Sequence, residues 1–242
     1  MTLLHTTVRI LRQLRHDRRT IGLLVVVPVL LLTLLYFMFN DQKHVFDSVA
    51  LIMLGIFPFI IMFLVTSIAM LRERTTGTLE RLLTTPLKRT DLLFGYGIAF
   101  GIAAAVQATV ASLVAYWLFD LSTAGSQALV ILIAVTNAVL GVALGLLASA
   151  FARTEFQAVQ FMPIVALPQI LLCGLFVARD QMASWLEALS NVLPLTYAVE
   201  ALQEVGAHAD PTATMWRDLG IVAGAVVLAL ILASLTLRRR TP

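Results

Sequence analysis

The sequence predicts an all-α integral membrane protein with six spans, and three observations carry that prediction. Hydrophobic residues make up 60% of the 242 residues and charged ones only 13%, against roughly 45–50% and 25% in a soluble domain. Mean hydropathy is +0.92, and the excess gathers into blocks of about twenty residues, the length that crosses a hydrocarbon core about 30 Å thick. The cations also alternate from loop to loop. Fourteen lie before the first block, in a central polar island, at Arg153 or after the last block, and only Lys43, Arg179 and Arg217 occupy the other loops. This is the positive-inside pattern. It predicts a multi-pass protein of the cell membrane, bacterial by type, with both termini and the island cytoplasmic. The pI of 9.4 therefore reflects topology, not nucleic-acid binding.

The first element, residues 1–20, is an amphipathic interfacial helix. At about 100° per residue, Leu3, Leu4, Val8, Ile10, Leu11 and Leu14 gather on one side and Arg9, Arg12, Arg15 and Arg19 toward the other. Such a helix rests in the inner headgroup layer. Arg18 falls on the apolar side and would snorkel where the chain turns into the membrane. The alternative is a disordered basic tail.

A six-span domain, 21–242, follows, with spans at about 21–40, 50–71, 92–119, 127–150, 157–178 and 217–237. The first block is too long for a signal-peptide core and has no small-residue cleavage site, so it is expected to stay attached. The outer loops 41–49 and 120–126 are short. Segment 179–216 is long and only half polar: Trp185, Leu186, Leu189, Val192 and Leu193 recur at helical spacing, Pro194 interrupts, and Tyr197 to Val205 resumes the pattern. That predicts an outer re-entrant helical hairpin over about 181–205, anchored by Trp185, Tyr197 and Trp216. Non-helical backbone at that depth needs protein or a water-filled cavity around it. Three pairs (Gly97 with Gly101, Gly141 with Gly145, Gly220 with Gly224) have small-xxx-small spacing and mark either intramolecular packing or a dimer seam. The single cysteine, Cys173, excludes a disulfide within the chain and reads as packing.

The island runs from Arg72 to Pro86, RERTTGTLERLLTTP. Gly77 can cap a short helix whose Glu80 reaches back to the free amides. Leu79, Leu82 and Leu83 form one apolar face, Pro86 ends the helix, and Thr90 or Asp91 caps the next span. A charged cytoplasmic helix over about 77–85 is predicted. Its exposed leucines favour docking into a groove over a solvated loop.

Span five is the most polar, with Gln157, Gln160, Pro163, Pro168 and Gln169. Prolines free carbonyls, and amides at membrane depth either line a pathway or glue helices together. Gln107 and Asn137 invite the same two readings. No Asp, Glu, Lys or Arg is expected deep in a span, which argues against a proton- or ion-coupled relay. His5, His16, His44 and His208 are scattered and form no metal set. A membrane-embedded enzyme would need paired carboxylates or a histidine cluster, and the sequence offers neither.

RERTTGTLERLLTTP together with six spans resembles the type-2 ABC-transporter permease family, the membrane half of many drug and lipid exporters, including daunorubicin-resistance-type permeases. Arg72, Glu73, Gly77, Thr78, Leu79, Glu80 and Pro86 match its motif. LPLTYAVEAL (Leu193 to Leu202), preceded by GLF (Gly174 to Phe176), is similar to the family's segment before its last span. Leu193 stands where Asn is common, and Gln203 where Arg is frequent. The resemblance implies that residues 77–85, with Leu82 and Leu83, are a coupling helix seated in a cleft of a separate ABC ATPase subunit. ATP and magnesium would be bound by that partner. This sequence has no GxxxxGK[ST] loop and no soluble segment large enough for a nucleotide domain. A second permease chain, identical or a sister, is implied. With so few fixed charges, the cargo would be hydrophobic or amphiphilic: a drug, an antibiotic or a lipid-like compound. Export of a lipid or lipid-linked glycan by the same fold is the alternative.

Overall fold

Short polar residues set the helix boundaries in the computed structural model, which describes residues 3–39, 41–75 and 89–236, with backbone alone for 89–92. Helix α1 (Leu3–His16) stops one residue short of α2 (Arg18–Met38). Between them Asp17 caps α2, its carboxylate accepting from the Thr20 amide (3.1 Å) and hydroxyl (2.6 Å). Those hydrogen bonds hold the Asp17 carboxyl below its ordinary range. Helix α3 covers Lys43–Thr75 and α4 Arg89–Leu118. Ser126 caps α5 (Gln127–Ser149), and Thr154 caps α6 (Glu155–Leu172) through the Gln157 amide at 3.2 Å. A 3₁₀ turn at Arg179–Gln181 leads to α7 (Ser184–Ser190). Helix α8 (Pro194–Ala207) opens on proline, which lacks the amide a first helical residue would leave unused. Helix α9 spans Ala213–Thr236. The described residues contain no strand, and six helices, α2–α6 and α9, are long and apolar enough to cross a membrane.

The helices depart from the predicted spans at identifiable points. Helix α3 begins at Lys43 instead of 50, because its first turn is stabilised by Lys43–Asp47 at 3.5 Å and Ser48 bonding to the His44 carbonyl. Helix α6 ends at Leu172 instead of 178: Gly174 follows with φ +90°, the left-handed geometry that closes helices. The predicted helix over 77–85 lies outside the described residues, as do the Thr90 and Asp91 side chains.

Helices α3 and α5 form the centre. Their contact is the most extensive among the described residues, and 67% and 61% of their apolar stretches are buried, against 17% in α2 and α9 and 22% in α6. Glycine permits the approach. A Cβ on Gly141 would lie 2.3 Å from the Phe59 carbonyl oxygen, and one on Gly145 2.6 Å from that of Phe63. One turn further out, Asn137 Nδ2 donates to the Gly55 carbonyl at 2.9 Å, beside Pro58 inside α3. Of the three predicted glycine pairs, this one packs tightly; a Cβ on Gly101, Gly220 or Gly224 would meet nothing within 4 Å.

Helix α8 packs on α3, α5 and α9. Its Leu195, Ala198, Val199, Ala201 and Leu202 are fully buried, whereas Trp185 on α7 is exposed. The predicted apolar side of α1 divides in two. Ile10 is buried and Leu11 and Leu14 pack beside it, but Leu4 and Val8 are exposed. The reason is that α1 docks on α4: a Cβ on Gly95 would lie 2.8 Å from the Thr6 methyl, and the Thr7 hydroxyl reaches the Gly95 carbonyl at 3.4 Å.

Candidate functional site

Three consecutive residues at the C-terminal end of α3 reach three different parts of the bundle. Arg72 makes a bidentate pair with Glu155 at the start of α6, with distances of 2.7 and 3.0 Å. Glu73 turns the other way, toward Arg9 of α1 at 4.0 Å and the Tyr96 hydroxyl of α4. Arg74 donates to the Ser149 carbonyl at the end of α5, where helix carbonyls lack intrahelical partners. An α-helix turns about 100° per residue, so adjacent side chains diverge, and here each finds a different partner. Of the residues the sequence assigned to an ATPase-facing surface, Arg72 and Glu73 thus have partners within the chain. Gly77, Thr78, Leu79, Glu80, Leu82, Leu83 and Pro86 lie outside the described residues.

The pairs differ in environment. Arg72 and Glu155 are more than half exposed, so their attraction is screened and contributes about 0–1 kcal/mol. Glu73 is only 16% exposed, and its Oε2 and the Arg9 Nε are buried without a hydrogen-bond partner. Removing Arg9 would leave the Glu73 carboxylate mostly buried without its ion-pair partner, the costly case. Nothing in the local sequence signals these contacts; Glu155 lies 83 positions from Arg72.

The polar residues of span five separate by burial. Gln157 and Gln160 are exposed and line a cleft of about 300 Å³ with Phe151, Arg153, Phe161 and Ile164. Gln157 Oε1 also accepts the Arg153 amide at 2.8 Å. Pro163 is half-buried and Pro168 exposed, both inside α6. Gln169 is buried. Its Nε2 donates to the Val165 carbonyl (2.9 Å), while its Oε1 accepts the Leu195 amide (3.3 Å) in the first turn of α8. Asn137 has the corresponding role between α5 and α3.

An outer polar cluster escaped the sequence reading. Arg179 bonds Glu200 at 2.6 Å, Ser190 at 3.3 Å and Asn191, and Arg217 reaches Glu200 at 3.6 Å. Arg217 also pairs at 2.8 Å with Asp218, whose side chain is fully buried and whose Oδ2 has no partner. Charged residues in an otherwise apolar outer segment were the available signal. They tie the 3₁₀ turn, α7, α8 and α9 together.

No group of three or more His, Cys, Asp or Glu suited to a metal occurs among the described residues. Residues 3–205 match the family described as ABC-2 type transporter. Three relatives show the range of likeness. ABC transporter G family member 20 of Dictyostelium discoideum is 27% identical over 206 residues, 83% of this chain and 28% of its own length. The "Probable multidrug ABC transporter permease YbhR" of Escherichia coli K12 is 30% identical over 156 residues, 64% of this chain and 42% of its own. The linearmycin resistance permease protein LnrN of Bacillus subtilis is 25% identical over 138 residues, 57% of this chain and 36% of its own. The chain thus spans less than half the length of each of these relatives.

Proposed function

The chain belongs to the ABC-2 type transporter family, and on that premise we propose that it is the membrane-spanning permease subunit of an ATP-driven exporter. A separate ABC ATPase subunit hydrolyses ATP, and this chain has no catalytic role. It pairs with a second permease chain and moves a hydrophobic or amphiphilic compound outward. Relatives named as a multidrug permease and as a linearmycin resistance permease support that cargo class and the role of membrane-spanning subunit. Both termini and residues 76–88 are cytoplasmic in this reading.

The observation that carries the proposal is the divergent Arg72–Glu73–Arg74 contact set at the start of the matched motif. A push on residues 77–85 would reach α6 through Glu155, α5 through Ser149, and α1 and α4 through Arg9 and Tyr96. Helix α6 carries the exposed Gln157 and Gln160, the proposed lining of the cargo path, so ATPase motion and cargo access would share one mechanical connection.

The test uses Glu80→Ala and Leu82→Asp in the full chain. Truncating one partner of a buried interfacial pair costs about 2–5 kcal/mol; Leu82→Asp, which puts a charge into an apolar groove, should do more. Both variants should insert normally yet lose ATPase co-purification or cargo-stimulated hydrolysis in proteoliposomes. Wild-type values for both would reduce residues 77–85 to a solvated loop. Labelling of the chain alone by an azido-ATP photoprobe would overturn the permease assignment.

A further inference from the structure

We propose that α1 and the cleft behind it form a binding site for an anionic phospholipid of the inner leaflet. The proposal rests on the cytoplasmic placement of α1 argued above. Helix α1 contains no acidic residue. Its Thr6–Thr7–Ile10 side is buried against α4, so the remaining face is the one that carries Arg12, Arg15, His5 and His16, all exposed. Leu4, 66% exposed, and Val8 share that face. A surface that alternates cations with bare aliphatic side chains suits a boundary where phosphate and hydrocarbon adjoin.

Two cavities give that surface a shape. One, about 680 Å³, is lined by Leu4, His5, Val8, Arg9, Arg12 and His16, with Gln13 at its edge. The other, about 560 Å³, runs between α1 and helices α2–α4; its walls include Leu14, Leu23, Val65, Ile68 and Phe100, together with Asp17, Arg72 and Glu73. Gln13 lines both, so a basic groove and a cleft with an apolar wall at Leu14, Leu23 and Val65 meet at one residue. A phosphate over Arg12 and a chain descending past Leu14 and Leu23 would fill the two together. The lipid-facing start of α2 adjoins the cleft: Leu23 is 60% exposed. An acidic protein surface could satisfy the arginines but has no use for the apolar wall of the cleft, which is why a lipid is the occupant chosen.

Arg9 gives the site a consequence. It lines the basic groove and also faces Glu73 and Tyr96. A headgroup phosphate beside Arg9 would draw on the same guanidinium that holds Glu73, two residues from the end of α3. The lipid composition of the inner leaflet would then bear on the coupling end of the chain.

The experiment reconstitutes the full chain into nanodiscs of phosphatidylcholine and phosphatidylglycerol at 3:1 and measures, by native mass spectrometry, which lipid stays bound after transfer to mild detergent. Wild type should retain phosphatidylglycerol preferentially. Each arginine near an anionic surface is worth roughly fivefold in binding, so Arg12→Gln/Arg15→Gln should lower that retention by about 25-fold, while Arg12→Lys/Arg15→Lys keeps most of it. Leu23→Trp, which narrows the cleft at an exposed position, should lower retention of either lipid. No phosphatidylglycerol preference in wild type, equal loss in the glutamine and lysine pairs, or unchanged retention in the glutamine pair would each overturn the proposal. So would a glutamine pair that keeps the lipid but loses the co-purified ATPase. Labelling of Asp17→Cys by an impermeant thiol reagent from outside intact cells would instead overturn the cytoplasmic placement of α1, a separate failure.

Discussion

Gln169 Oε1 accepts the Leu195 amide where both residues are buried, so its loss strands a donor that water cannot reach. Gln169→Leu should therefore destabilise the protein by about 1–3 kcal/mol, read as a lower melting temperature in detergent. Gln160, nine residues earlier on the same helix, is exposed beside its cleft. Gln160→Leu should leave melting unchanged and alter cargo preference in a transport assay; a drop in folded protein would make it packing glue. The sequence read both glutamines alike, because burial depends on what α8 does 26 residues later. Asp17 offers a third test at this scale. Its depressed carboxyl pKa contributes stability above the ordinary carboxylate range, and that contribution is lost as pH falls through the folded value. Asp17→Asn keeps an acceptor for Thr20 but cannot titrate. The melting difference between the two proteins should shrink on acidification, and a gap that is flat with pH would refute the cap's titration.

The α3–α5 contact tests the element scale. Three glycine pairs have the same spacing in sequence, yet only Gly141 and Gly145 meet backbone, at the Phe59 and Phe63 carbonyls. Gly141→Ala forces those helices apart and should cost about 1–3 kcal/mol. Gly224→Ala on α9 meets open space and should be neutral for the isolated chain. Thermal unfolding of the two variants decides it, and equal melting temperatures would deny that the glycines set the helix spacing. Six spans were legible because bilayer thickness imposes a length on an apolar helix. Their ends were less so: α3 gained its outer turn from a Lys43–Asp47 pair, and α6 lost its last turn to the left-handed Gly174. The partners of Arg72 and Arg74 were not legible at all, since Glu155 and Ser149 are brought to them by tertiary packing.

For the whole molecule the cation bias predicts a definite orientation. In a Cys173→Ala background, Lys43→Cys and Asp210→Cys should react with an impermeant thiol reagent added to intact cells, and Asp17→Cys should react only after lysis. Labelling at Asp17 but not at Asp210 would invert the topology. The outer cluster shows what a count of charges misses. Arg179 and Arg217 were counted only as loop cations, yet with Glu200 and Asp218 they close on one another and take Asp218 fully out of water.

Helix α3 is packed most closely at its middle and tied by polar pairs near both tips, Lys43 to Asp120 and Arg72 to Glu155. Its closest approaches to α5 lie between Gly55 and Phe63, with twelve residues, about 18 Å at 1.5 Å per residue, on either side, to Lys43 and to Thr75. A bar pivoted at its midpoint has a mechanical advantage near one: whatever distance its inner tip travels, its outer tip travels about equally far in the opposite sense. A tilt of α3 that draws Thr75 toward the molecular axis would swing Lys43 and the outer turn away from it, so closure at one face and opening at the other would be a single displacement, with Pro58 seated at the fulcrum.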